Sequence, residues 1–213
     1  KKFKKNKFKL IYCPPATLLN PLSEKLKSTL IQVGAQNCHE SESYGAYTGQ
    51  INSSMLKAVG AKYVILGHSE NRQLGENDYL INLKIKNSIK SGLKIIFCIG
   101  ESLTQKRNKK TKKILSRQIS QGLKNIKNKK DIIIAYEPVW AIGSGLIPKD
   151  SEILEIVKFI KNKVKGSKVL YGGSVNNKNI ALLKKINNVD GFLVGGSSQN
   201  SNNFIDIIKK TFN

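Results

Sequence analysis

Asp131-Ile-Ile-Ile-Ala-Tyr-Glu137-Pro-Val-Trp-Ala-Ile-Gly-Ser-Gly-Leu-Ile-Pro148-Lys-Asp150-Ser-Glu-Ile-Leu-Glu-Ile-Val-Lys-Phe-Ile-Lys-Asn-Lys-Val164 decides the fold class of this chain. It opens on an apolar run without alternation, the pattern of a strand buried on both faces. It ends on Ile153, Ile156, Val157, Ile160 and Val164, which share one helical face. Asp150 stands where it can cap that helix, and Gly166 lies just past its end. Outward from this unit the same order recurs. Strand-like runs lie at Phe8–Cys13, Gln32–Asn37, Tyr63–Gly67, Leu93–Ile99, Asp131–Tyr136, Lys168–Tyr171 and Gly191–Val194. Helical stretches lie at roughly 17–30, 52–59, 78–91, 104–127, 177–186 and 201–212, besides 150–164. Strands alternating with helices predict a parallel α/β sheet. No linker or composition shift divides residues 1–213, which predicts a single domain.

The polar detail gathers where the strands end. Gln36-Asn37, His68-Ser69-Glu70, Glu101, Glu137-Pro138, Gly172-Gly173-Ser174 and Gly195-Gly196-Ser197 each follow a strand. Parallel α/β folds bind ligands at the carboxyl ends of their strands. Several ends contributing together favour a closed barrel over a doubly wound sheet, and no GxGxxG follows the first strand.

Glu137 directly after a buried strand is costly unless paired or functional; alone it could be a helix cap or an ion-pair partner. His68, taken singly, could be structural. A carboxylate base facing a neutral imidazole suits proton transfer beside a carbonyl. Two glycine pairs followed by Ser174 and Ser197 let backbone N–H groups approach an anion, although either pair alone could be an ordinary turn. The segment 138–148 has Pro138 and Pro148 at its ends and an apolar tip with Trp140 and Ile142. A solvated loop has little reason to carry those side chains, so it reads as a lid that excludes water.

Composition narrows the class. The chain has 213 residues, 39% of them apolar, enough for a core without staples. No run of about 18 apolar residues suits a membrane span, and no apolar core of a secretory signal follows the basic start. Cys13, Cys38 and Cys98 suit reduced thiols in a cytoplasmic protein. No CxxC or HxxxH suggests a metal site. The formal net charge is +23. A basic nucleic-acid-binding module would explain that charge and leave the strand-end motifs unexplained. Of 37 basic residues 34 are Lys, alongside 26 Ile and 21 Asn. Phosphate-reading surfaces favour Arg, so the charge reads as Lys-rich drift on solvated faces, with neither nucleic acid nor membrane as partner. The stretch 106–130, with eleven Lys/Arg and no acid, reads as the outer face of a long helix.

Ala35-Gln-Asn37, Gly45-Ala-Tyr-Thr-Gly49, Gly67-His-Ser-Glu70, Cys98-Ile-Gly-Glu101, Ala135-Tyr-Glu-Pro-Val-Trp-Ala-Ile-Gly143, Tyr171-Gly-Gly-Ser-Val175 and Leu193-Val-Gly-Gly196 together resemble the triosephosphate isomerases, in that family's order and over nearly the whole chain. The resemblance implies a TIM (β/α)8 barrel that interconverts dihydroxyacetone phosphate and D-glyceraldehyde 3-phosphate without a cofactor or metal. Glu137 would be the base, and a neutral His68 would polarise the carbonyl. Gly143, Ser174, Gly195 and Gly196 would hold the phosphate. The lid residues Pro138, Val139, Trp140, Ala141, Ile142, Ser144 and Gly145 would close over it, latched by Tyr171 and Ser174. Loop 38–50 would insert Thr48 beside the site of a second subunit, making a homodimer in which His39 is an interface residue.

The sequence also departs from the family. No segment resembles its first strand with Asn-x-Lys, and Lys1–Lys5 would be the end of its first helix. Roughly 35 residues of the family's barrel of about 250 are then absent. With Lys rather than Met at position 1, this predicts an N-terminally incomplete sequence that lacks the first strand and most of the first helix, and has little activity as written. Glu70, without its lysine partner, is expected to be desolvated with a raised pKa. Gln50 and Asn71 replace a charged pair across the dimer interface, with Arg72 retained. The alternatives are an inactive relic of the family or another phosphate-binding barrel enzyme.

Overall fold

The computed structural model describes residues 8–212; the expected helix end at Lys1–Lys5 lies outside them. In chain order the elements are β1 (Leu10–Tyr12), α1 (Leu19–Leu26), β2 (Ile31–Ala35), α2 (Ser53–Ala58), β3 (Tyr63–Leu66), α3 (Ser69–Gln73), α4 (Asp78–Lys90), β4 (Lys94–Ile99), α5 (Leu103–Arg107), α6 (Thr111–Gly122), β5 (Ile132–Tyr136), α7 (Asp150–Lys163), β6 (Lys168–Tyr171), α8 (Ile180–Leu183), β7 (Gly191–Phe192) and α9 (Ser201–Phe212). The chain packs as two compact units. One runs to Phe97 and includes Gln121–Ile132; the other comprises Cys98–Ser120 and the chain from Ile133.

In the first unit β1 to β4 lie side by side in sequence order, all parallel, with Leu10 opposite Ile31, Gly34 opposite Tyr63 and Tyr63 opposite Lys94. β3 is buried along its whole length, as a strand covered on both faces must be. α1 packs on β2 and α4 on β3. α4 buries Ile81, Asn82, Lys84, Ile85 and Ser88, the spacing of one helical face. Three of these are polar and must find partners. Ser88 Oγ lies 3.5 Å from Cys38 Sγ. Asn82 donates to the Gly122 and Lys124 carbonyls at 2.8 and 3.0 Å. Lys84 pairs closely with Glu76, whose Oε1 also accepts from Asn37 Nδ2 at 2.7 Å. This ion pair ties α4 to the end of β2.

Lys84→Met should therefore destabilise the protein by about 2–3 kcal/mol. Removing one partner of a buried pair typically costs about 3–5 kcal/mol, and here Asn37 still donates to the stranded carboxylate. Pairing Lys84→Met with Glu76→Leu should recover most of the loss. Denaturant melts of both variants check this, and equal losses would sink it.

In the second unit, β5, β6 and β7 are parallel neighbours, with Ile133 opposite Lys168 and Leu170 opposite Gly191. Glu137 N–H donates to the Ile99 carbonyl at 2.8 Å and continues the ladder beyond β5 to the end of β4. α7 packs on β6 and buries Ile153, Ile156, Val157 and Ile160, as their spacing predicts. Asp150 is not its cap. It is the first helical residue, and Glu152 reaches back to accept the Lys149 N–H at 3.1 Å. A carboxylate three positions into a helix can close on the preceding N–H, and Asp150 still faces the positive helix end.

The stretch 104–127 is not one helix. α5 ends in a left-handed residue, Lys109 (φ 55°), with Lys110 N–H donating to the Gln105 carbonyl and Lys109 N–H to that of Lys106. This is the Schellman closure, normally built on glycine. The 177–186 helix shrinks to Ile180–Leu183. Asn176 and Asn179 accept backbone N–H groups with their side chains, which holds 176–179 in turns. β7 likewise stops at Phe192, short of the expected Val194.

Candidate functional site

Glu137 is 3% exposed at the end of β5. Its surroundings are glycine on two sides. A Cβ on Gly172 would stand 2.8 Å from Glu137 Cγ and 3.2 Å from Oε1, and one on Gly100 would stand 1.7 Å from the Glu137 carbonyl oxygen. Only hydrogen fits at these points, so the carboxylate is placed by backbone. Gly100 is itself held by Gln118, which is 5% exposed: Gln118 Oε1 accepts the Gly100 N–H at 2.9 Å, and its Nε2 donates to the Gly100 carbonyl at 3.0 Å.

Next to this lies a polar cluster. Glu101, 1% exposed, accepts from Trp140 Nε1 at 3.0 Å and from the Tyr136 hydroxyl at 3.3 Å. Burial pushes the Glu101 carboxyl up, against the pull of its hydrogen bonds from Trp140 and Tyr136. Burial also raises the Tyr136 and Tyr171 hydroxyls, with the Glu101 charge adding to both. The two tyrosine rings meet at a tilt, with centroids 6.4 Å apart.

The 138–148 segment folds over its own tip. Val139–Ala141 form a 3-10 turn, and Gly143 (φ 65°) and Gly145 (φ 75°) supply the left-handed conformations that follow. Ser144 Oγ donates to the Trp140 carbonyl and accepts the Leu146 N–H. Ser174 joins the segment from outside: its hydroxyl donates to the Ala141 carbonyl at 2.5 Å and accepts the Gly145 N–H at 3.2 Å. Tyr171 makes no hydrogen bond to the segment: its hydroxyl is buried without a hydrogen-bond partner among the described residues. It is packed against the Gly172-Gly173 turn, where a Cβ on Gly173 would stand 2.1 Å away. Gly195 and Gly196 are exposed, and a Cβ on either would meet nothing within 4 Å. They leave open backbone after β7, the kind a ligand can approach.

In the first unit His68 follows β3 and caps α3. Its Nδ1 accepts the Glu70 N–H at 3.4 Å. An imidazole that accepts at Nδ1 carries its one neutral-form proton on Nε2, which makes Nε2 the donor. Arg72 steadies the preceding peptide, donating from Nε to the Gly67 carbonyl at 2.8 Å while Nη1 pairs with Asp78 at 2.6 Å. Glu70 is not desolvated. Its side chain is 79% exposed, 3.8 Å from His68 Nδ1, and points to water from the first turn of α3. Loop 38–50 carries exposed Thr48, Tyr44 and Tyr47, while His39 Nδ1 lies 3.0 Å from Ser41 Oγ and its ring tilts against Tyr47.

Sequence reasoning placed Glu101 at a strand end but gave it no role, and it passed over Gln118 and Lys106. The signal available for Glu101 was its position: it follows β4 after a single glycine, much as Glu137 follows β5 directly. No disulfide joins the three cysteines. Burial pushes the Cys13 thiol up to about 12, away from reactivity. Among the described residues no three His, Cys, Asp or Glu side chains gather as a metal centre would need, and no helix is long and apolar enough to cross a membrane.

The order of these motifs along a parallel βα chain is also that of known proteins. The family model for triosephosphate isomerase matches residues 1–211. Triosephosphate isomerase of Chlorobium luteolum is 42% identical over 206 residues, covering 92% of this chain and 82% of its own. That of Thermodesulfovibrio yellowstonii is 43% identical over 205 residues, with 92% and 83% covered. That of Zygosaccharomyces bailii is 42% identical over 212 residues, with 95% and 85% covered. The crystal structure of triosephosphate isomerase from Bartonella henselae superposes with a TM-score of 0.88 at 35% identity, covering 97% of this chain and 87% of that one. The fold is thus an α/β fold of the TIM-barrel class. With its motifs, its strand order and its relatives in agreement over nearly its whole length, the chain belongs to the triosephosphate isomerase family.

Proposed function

We propose that this protein interconverts dihydroxyacetone phosphate and D-glyceraldehyde 3-phosphate in the cytoplasm, as a step of glycolysis and gluconeogenesis and without a cofactor. The observation that carries the reading is Glu137: a carboxylate 3% exposed, at a strand end, fixed by close glycine backbone beside a segment that Ser174 fastens. Glu137 takes a proton from the carbon beside the carbonyl and returns it to the neighbouring carbon. Between these steps the electron pair of the broken C–H bond lies in the enediolate, with negative charge on oxygen. His68 donates from Nε2 to that oxygen, consistent with its accepting Nδ1. The N–H groups of Gly143, Gly195 and Gly196 hold the phosphate, joined by Ser174 when its one hydroxyl proton turns from the Ala141 carbonyl to a phosphate oxygen, and the 138–148 lid keeps water from the enediolate. The positive charge of the chain favours approach of an anionic substrate.

A second copy covers loop 38–50, where Tyr44 and Tyr47 are 69% and 49% exposed beside Thr48; light scattering on eluted protein should give twice the monomer mass. A coupled assay in both directions tests the activity, with kcat/KM for the triose phosphates at or above about 10⁴ M⁻¹ s⁻¹ expected. Folded protein that turns over neither triose phosphate would refute the reading.

A further inference from the structure

Lys106, on α5, sits with its ammonium 4.0 Å from the centroid of the Trp140 ring. The same nitrogen lies 3.1 Å from each carboxylate oxygen of Glu152, in the first turn of α7. Trp140 stands near the leading end of the 138–148 segment, and Glu152 stands just beyond its trailing end. One charge therefore touches both flanks of the segment. The tryptophan is held on two sides, by Lys106 on its face and by Glu101 on its Nε1 edge at 3.0 Å. The backbone adds to this, since Val139 N–H donates to the Glu101 carbonyl at 3.0 Å. Glu152 is also fixed from behind by the Lys149 N–H. Its partial burial pushes the carboxyl up, but the hydrogen bonds from Lys106 and Lys149 bring it net below the usual carboxylate range.

An isolated pair at this exposure, 30% for Lys106 and 43% for Glu152, contributes little. The cation over the indole face changes that. The attraction of a ring for a cation grows as the pair loses water, and Glu152 pre-aims the ammonium so that little side-chain entropy is lost in reaching Trp140.

We propose that Lys106 is a positioning residue for the lid, an ammonium clamp that holds Trp140 against α5 and links it to α7 so that 138–148 rests closed. This rests on the reading of that segment as the lid of the isomerase site. When Trp140 swings out the cation–π contact is lost while the Lys106–Glu152 pair persists, so the charge acts selectively on the closed arrangement.

Trp140 is the one tryptophan of the sequence, so its fluorescence reports the clamp without any assay of turnover. Lys106→Met keeps the stem and removes the charge, and Lys106→Arg keeps both charge and stacking. Acrylamide quenching of Trp140 should rise about two- to threefold in Lys106→Met and return near the parent value in Lys106→Arg. In the same variants kcat/KM for glyceraldehyde 3-phosphate should fall about 5- to 10-fold in Met, with more inorganic phosphate released per turnover, and recover in Arg. Should Lys106→Met fail to fold, Glu152→Gln carries the same expectation at about half the effect. Unchanged quenching overturns the clamp. Increased quenching with unchanged kinetics and phosphate release overturns its role in lid position. A parent protein that shows no isomerisation would defeat the proposed function instead, and the quenching series would still decide the clamp.

Discussion

Glu137→Gln should lower kcat for either triose phosphate by about 10²- to 10⁴-fold, the range for losing a positioned general base, while KM changes little. Gln matches Glu in shape, so it fits the space bounded by Gly172, whose missing Cβ would otherwise stand 2.8 Å from Cγ. The strand ladder through the Glu137 N–H to the Ile99 carbonyl is a backbone contact and survives the change. An amide accepts no proton from carbon, so chemistry is lost while phosphate binding by backbone N–H groups remains. Circular dichroism and thermal melts should match those of the parent. Turnover within tenfold of the parent would mean that some other group is the base, and Glu101 would be the next to test. Burial raises that carboxyl. Through Oε1 it holds Trp140 and Tyr136, while Oε2 has no hydrogen-bond partner among the described residues, which is why it is the next carboxylate to test.

Most strands were legible because each is a short apolar run, free of alternation and followed by polar residues. That pattern has few readings other than a strand covered on both faces. α7 was legible for a similar reason: Ile153, Ile156, Val157 and Ile160 can share a face only in a helix, and all four are buried. What failed was local backbone chemistry without its usual residue. Lys109 takes the left-handed position that normally announces itself as glycine, so the break between α5 and α6 left no mark in the sequence. Asp150 looked like the cap because caps are sought before the first apolar position, whereas Glu152 does the work from inside the helix. For the candidate site, Glu137, His68 and Ser174 were legible from their positions after strands and from family resemblance. The groups that hold them were not. Gln118 reaches Gly100 across 18 residues, and Lys106 reaches Glu152 across 46. Such contacts are set by how helices pack on strands, which periodicity does not report. Glu70 shows the opposite error, since a family partner was assumed to govern a side chain that simply points to water.

Gly100→Ala should destabilise the protein by about 4 kcal/mol or more, beyond the common range for overpacking. The added methyl would lie 1.7 Å from the carbonyl oxygen and 2.7 Å from the carbonyl carbon of Glu137. Those are backbone atoms, so no rotamer change relieves the overlap. Relief requires the end of β4 to move away from the end of β5. That motion breaks the ladder bond between Glu137 N–H and the Ile99 carbonyl, and it disturbs both hydrogen bonds between Gln118 and Gly100. At roughly 2–4 °C per kcal/mol for a chain of this size, the melting temperature should fall by about 8–16 °C. Whatever folded protein remains carries Glu137 displaced, and a shift of about 1 Å at a reacting group can cost about 10²-fold in rate. Gly196→Ala is the matching control. A Cβ there meets no atom within 4 Å and its φ lies outside the left-handed region, so stability should stay within about 0.5 kcal/mol. If Gly196 holds the phosphate as proposed, the methyl crowds the approach to its N–H, and KM should rise while the melt stays untouched. If both variants melt like the parent, the close approach of Gly100 to Glu137 is not what holds the base. If Gly100→Ala loses stability but keeps full kcat, the two strand ends part without moving the carboxylate, and its placement depends on Gly172 instead.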